Sequence, residues 1–175
     1  MSVPSDIPTA FREFRLVAAE FCDVVDSASS LDRVELLSRL YEILPRLIHQ
    51  GAALPSLTSS DSADRKEVKQ TRMKEAEWER LYQSLKEKLG EWNLYWQVFD
   101  PTKDSEAIRG SLADDVADVY RDVKEGLDCH NPDSTLQGEA IWVWRVGYYS
   151  HWGKHAIDAL RTIHFLLEDS LSEHD

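Results

Sequence analysis

SLADDVADVYRDVKEGL, residues 111–127, decides the fold. Plotted at about 100° per residue, it places Leu112, Val116, Val119, Val123 and Leu127 in one narrow apolar stripe, with Tyr120 beside it. No alternation of apolar and polar residues competes with that period, so the segment is a helix. Ser111 and Asp114 have the spacing to cap its start. The same period of three to four residues recurs along the chain, and no stretch alternates long enough to predict a strand. The expectation is an all-α protein without a sheet: a single domain over residues 1–175, folded as an up-and-down bundle of about five to six helices.

Working outward toward the N-terminus, a charged helix is expected from about Asp64, where Asp64 and Glu67 form a possible capping box. It turns Trp78, Leu81, Tyr82, Leu85 and Leu89 inward, and Gly90 caps or bends it before Trp92, Tyr95, Trp96 and Phe99. Asp100-Pro101 breaks the chain, because a residue preceding proline is driven out of the helical region. The Ser- and Pro-bearing stretch from Ala52 to Ser62 reads as an exposed loop. A helix from Asp32 carries Val34, Leu37, Leu40, Tyr41 and Leu44, and Pro45 predicts a kink or a new short helix ending at Gly51. The first helix starts after Pro8 and Thr9 and buries Phe11, Phe14, Ala18, Phe21 and Val25.

Toward the C-terminus, Asn131-Pro132-Asp133 is a turn, and one last helix is expected from near Ser134 to about Glu168. Its inward stripe is Ile141, Tyr149, Trp152, Ala156, Leu160 and Ile163, centred on Arg145. Trp142 and Trp144 lie about 200° apart on such a helix, so only one can face the core.

Composition narrows the function. The chain has 175 residues and a formal charge of −12, which disfavours nucleic acid and anionic membranes, both of which are bound through clustered Lys and Arg. The first residues lack the basic and apolar regions of a signal peptide, and no apolar run approaches the roughly 20 residues that span a bilayer. A cytoplasmic location is expected. Two cysteines, Cys22 and Cys129, make no C-x-x-C pair and read as reduced thiols.

Catalytic motifs are missing. There is no G-x-S-x-G and no P-loop. His151 to His155 lacks the glutamate of H-E-x-x-H, and the Glu-x-x-His repeats of di-iron bundles are absent. Asp114 to Asp118 matches D-D-x-x-D, the magnesium-diphosphate motif of helical isoprenoid synthases, in a chain too short for that fold. Cys129-His130 is adjacent in sequence, which does not by itself bring a thiol to an imidazole.

One constellation remains. Asp115, Asp118 and Asp122 line one flank of the 111–127 helix on adjacent turns, where they repel unless a cation lies between them. Asp114 points nearly opposite the apolar stripe and is expected in solvent. On the last helix His151 and His155 form an i,i+4 pair, and Arg145 in an apolar stripe needs a partner, since an unpaired buried charge costs several kcal/mol. In one reading Arg145 forms a buried salt bridge with Asp115 or Asp122. In the other, Asp115, Asp118, Asp122, His151 and His155 hold a divalent metal, as facing helices of bundles do.

SLADDVADVYRDVKEGLDCH at 111–130 and HWGKHAIDALRTIH at 151–164 together resemble the signature of a bacterial domain-of-unknown-function family of small helical proteins. The resemblance implies a helical fold and a bacterial, intracellular source, and it brings no reaction, cofactor or partner. The leading expectation is a non-enzymatic module that binds another protein or a small molecule, with Asp115, Asp118, Asp122, Arg145, His151, Trp152 and His155 as its polar cluster. The alternative is a divalent-metal-binding protein or metal-dependent hydrolase. No cofactor is otherwise called for.

Overall fold

The computed structural model describes residues 6–56, 72–128 and 137–172. Its elements are α1 (Asp6–Asp26), a 3-10 turn at Ala28–Ser30, α2 (Arg33–Ala53), α3 (Glu75–Leu89), a 3-10 turn at Gly90–Asn93, β1 (Leu94–Val98), β2 (Ala107–Ser111), α4 (Leu112–Asp128), α5 (Gln137–Ser150) and α6 (Trp152–Ser172). Six helices form the bundle expected from the periodicity. No helix among the described residues is long and apolar enough to cross a membrane.

α4 is the hub, packing on α1, α3, α5 and α6. A helix enclosed on so many sides buries more than its apolar stripe. Leu112, Val116, Val119 and Val123 are fully covered, and Asp115, Asp118 and Asp122 on the flank are buried. Its start is fixed by side chains: Ser111 Oγ accepts the Asp114 N–H at 3.3 Å, and Oδ1 of the buried Asn93 accepts Ala113 N–H at 2.9 Å. Those bonds satisfy backbone donors that a helix N-terminus leaves open.

The expected absence of a sheet is corrected by the antiparallel pair β1–β2, with Leu94 opposite Ser111 and Val98 opposite Ala107. Its connection is organised by Asp100, whose carboxylate accepts from Thr102 N–H, Thr102 Oγ1 and Lys103 Nζ. The period of two is present in β1 but inverted. Tyr95 and Gln97 turn toward the protein, whereas Leu94 and Trp96 are exposed at 50% and 63%. Tyrosine and glutamine inward with leucine and tryptophan outward is not a pattern that hydrophobicity reveals.

α2 runs through Pro45 to Ala53 as one helix, so no new short helix begins at the proline. Its buried face is Leu36, Leu37, Leu40, Ile43, Leu44 and Leu47, so Val34 and Tyr41, at 45% and 36% exposed, do not belong to the core. Asp32 Oδ1 accepts the Glu35 N–H at 2.8 Å, as the capping spacing predicts. The exposed loop expected from Ala52 starts later: Ala52 and Ala53 close the helix and Leu54 is buried. Residues 57–62 of that loop, the Asp64–Glu67 box, the turn at 131–133 and the Cys129-His130 pair lie outside the described residues. Gly90 ends α3 at φ +57°, a left-handed backbone that favours glycine.

The last helix is two helices, not one, broken at His151 between α5 and α6. The Trp152 indole N–H donates to the Trp144 carbonyl at 2.9 Å, and that of Trp144 donates to the Val123 carbonyl at 2.9 Å. Both rings are fully buried, while Trp142 is 37% exposed, so the tryptophan pair divides as its spacing requires. A Cβ on Gly126 would lie 2.1 Å from Trp144 Nε1. Replacing a helical glycine by alanine ordinarily gains about 1 kcal/mol. In Gly126→Ala the methyl meets a rigid, hydrogen-bonded ring instead, and overpacking of this kind costs about 1–3 kcal/mol. At roughly 2–4 °C per kcal/mol for a chain of this size, thermal unfolding of Gly126→Ala is expected several degrees below wild type.

Candidate functional site

The acidic flank of α4 meets the start of α6. His155 Nδ1 lies 2.7 Å from Asp115 Oδ1, and His151 Nδ1 lies 2.7 Å from Asp122 Oδ2. The other nitrogen of each ring converges on one atom. His151 Nε2 is 3.6 Å, and His155 Nε2 3.7 Å, from Asp118 Oδ2. The i,i+4 spacing of the histidines aligns their rings, whose centroids are 4.9 Å apart, and the i,i+3 and i,i+4 spacing of the aspartates gives each ring its own carboxylate.

The carboxylates are held in turn. Tyr95 on β1 donates its hydroxyl to Asp115 Oδ2 at 2.6 Å, Arg121 donates to Asp118 Oδ1 at 2.6 Å, and Arg72 lies 3.5 Å from Asp122 Oδ1. Burial, followed by the charge of Asp115, keeps the Tyr95 hydroxyl protonated well beyond its usual range. Each oxygen of Asp115 thus has a partner, a phenol on one and an imidazole on the other.

Five of the seven residues singled out from the sequence are therefore together: Asp115, Asp118, Asp122, His151 and His155. Trp152 is buried behind them as core. Arg145 is a correction. It is only partly buried, donates to the Leu54 carbonyl and packs over Tyr149 at 5.1 Å, and no carboxylate among the described residues pairs with it. The single-helix wheel placed it in the core stripe with Tyr149, which is in fact 66% exposed. Asp114 departs from expectation too. It is half-buried, its donor atom lies within 4.8 Å of those of Asp115 and His155, and desolvation, then Asp118 and Asp115, raise its pKa.

Tyr95, Arg121 and Arg72 were missed. Arg121 carried a signal, standing three residues after Asp118 on the same helix. Tyr95 carried none without the hairpin that brings it to α4.

His155 shows the site's electrostatics. Burial alone would lower its pKa, but the hydrogen bond to Asp115 and the charges of Asp115, Asp118 and Asp114 prevail and raise it above 6.5. Below the unfolded value both states bind the proton and the imidazolium contributes its full stabilisation. As pH rises through the raised native value that contribution is lost. Chelator-treated protein is expected to lose melting temperature from about pH 6.5 upward through that value. His155→Gln should flatten the profile across this window, and an unchanged slope would contradict the assignment.

Comparison with known proteins adds the fold and a family. A crystal structure of a Bacteroides fragilis protein, solved as a structural-genomics target, matches with a TM-score of 0.75 and 24% identity, over 88% of this chain and 89% of that one. That likeness concerns the fold. No curated protein matches. A family model described as a domain of unknown function, DUF5063, matches residues 5–169.

Proposed function

The chain belongs to the DUF5063 family, whose description assigns no reaction, and we propose from its geometry that it binds a divalent transition-metal ion through Asp118, His151 and His155. One observation carries this reading. Two Nε2 atoms face one carboxylate oxygen at 3.6 and 3.7 Å, while each Nδ1 is tied at 2.7 Å to a different carboxylate.

Those longer separations exceed the roughly 2.7–3.2 Å of a hydrogen bond. They suit ligands of a shared ion. Two bonds near 2.1 Å meeting at a tetrahedral angle set donor atoms roughly 3.4 Å apart. With each Nδ1–H donated to its aspartate, the Nε2 lone pair is free to ligate, and a carboxylate behind a ligating histidine fixes its tautomer and raises its basicity. Asp122 and Asp115 supply that support, and Tyr95 orients Asp115.

The chemistry of the donor set also fits. Two imidazoles and one carboxylate suit zinc, iron(II) or manganese better than magnesium or calcium, which prefer all-oxygen sites. Three protein ligands leave a coordination position open, the pattern of catalytic rather than structural sites. A bound ion there would supply Lewis acidity and an activated water. A cleft of about 270 Å³, bounded by Arg72, Asp122, Glu125, Trp142 and His151, reaches the edge of the site at His151. This favours the metal-dependent reading over a purely non-enzymatic module.

Protein purified without chelator is expected to carry close to one equivalent of transition metal by elemental analysis, and the stripped protein to take up zinc or cobalt(II) in a calorimetric titration. Asp118→Asn and His151→Gln should abolish uptake while preserving the helical circular-dichroism spectrum. Failure of folded wild-type protein to bind zinc, cobalt(II), manganese or iron(II) would overturn the proposal. It would leave imidazolium–carboxylate pairing as the cluster's role.

Tyr95→Phe removes only the hydroxyl on Asp115. Loss of such support around a ligating histidine weakens metal binding by about 10–100-fold. Competition with a chromophoric chelator checks that outcome, and an affinity equal to wild type would remove Tyr95 from the site.

A further inference from the structure

A second cleft, of about 710 Å³, lies between the end of β1, the last turn of α5 and the outer face of α6, and contains none of the proposed metal ligands. Its size falls in the range of small-molecule sites, roughly 300–1,000 Å³. The walls are apolar and uncovered: Phe99 is 57%, Tyr149 66% and Ile157 50% exposed.

Gln97, Lys154, Asp158 and Arg161 are among the polar side chains that line the cleft. Gln97 Oε1 and Asp158 Oδ2 are buried acceptors with no donor among the described residues. Acceptors shielded from water without a partner are uncommon and costly. Lys154 and Arg161 have no carboxylate within ion-pair distance among the described residues. Lys154 Nζ lies 3.1 Å from the Phe99 ring centroid, and the Arg161 guanidinium lies over Phe165.

Lys154, Asp158 and Arg161 are spaced i, i+4 and i+7, so they form one stripe of alternating charge along α6. A simple carboxylate entering this cleft would meet Asp158 as well as the cations. A simple amine would meet Lys154 and Arg161 as well as the acid. A ligand with both charges a few ångströms apart satisfies each without repulsion.

We propose that this cleft binds a free α-amino acid with an apolar side chain. The ammonium is taken by the Asp158 carboxylate and the carboxylate by Lys154 or Arg161, and the side chain lies against Phe99, Tyr149 and Ile157. The proposal does not rest on the metal reading, since the two sets of ligands share no residue.

Isothermal titration of the full chain with L-phenylalanine tests it, alongside 3-phenylpropionate and 2-phenylethylamine, which each lack one of the two charges. L-Phenylalanine is expected to bind at least about tenfold more tightly than either analogue. Asp158→Asn should weaken L-phenylalanine but not 3-phenylpropionate, and Lys154→Met should weaken L-phenylalanine but not 2-phenylethylamine. Ile157→Trp, which fills the cleft, should abolish binding with the melting temperature retained. Absence of binding by L-phenylalanine and L-leucine at millimolar concentration would overturn the proposal, as would equal affinity for an analogue or wild-type affinity in both charge variants. Repeating the titration after chelator treatment separates this outcome from any failure of the metal site.

Discussion

Three carboxylates on the central helix must be neutralised inside the protein, and the rest of the structure is arranged around that requirement. Asp115, Asp118 and Asp122 are 3%, 7% and 8% exposed on adjacent turns of α4. A buried carboxylate without partners costs several kcal/mol, and three of them side by side add mutual repulsion. The compensation comes from separate parts of the chain. β1 supplies the Tyr95 hydroxyl, α4 itself supplies Arg121, the junction of α5 and α6 supplies His151, α6 supplies His155, and the segment before α3 supplies Arg72. The break at His151 and the hairpin ahead of α4 are thus parts of one electrostatic unit.

The sequence revealed what depends on a single helix. Asp115, Asp118 and Asp122 share a flank because of residue spacing, and His151 and His155 are paired for the same reason, so both halves of the cluster were readable before they were seen to meet. Arg145 was misread because the wheel assumed one helix through residues 141–163. Its guanidinium settles on the Leu54 carbonyl, and a backbone acceptor at the end of another helix has no signature in sequence. Tyr95 was invisible as a site residue for a related reason. The strand that presents it is five residues long and turns its more polar side chains inward, so apolar periodicity pointed the wrong way. Pro45 starts no new helix: α2 continues through it, since packing of the surrounding apolar face outweighs a local loss.

Family membership and fold likeness say where the elements lie and nothing about chemistry, since one fold hosts many functions. The functional reading has to come from the side chains. Buried ion pairs alone are weak evidence for a site, because cores also contain them for structural reasons. The distinguishing feature here is the asymmetry of the distances. Each imidazole makes one short contact and one long one, and both long ones end on the same atom, Asp118 Oδ2.

That asymmetry follows from how the aspartates are held. Asp118 Oδ1 is drawn to Arg121 at 2.6 Å, which turns Oδ2 toward the histidines. The rings cannot both close on it, because their Nδ1 atoms are anchored to Asp115 and Asp122, on opposite sides of Asp118 along α4. A network selected only for charge pairing would gain by shortening these contacts, since attraction grows as separation falls. On the metal reading proposed above, anchors that instead hold three donor atoms slightly apart would leave them placed for an ion, and preorganised ligands of this kind would bind a cation without first having to move apart.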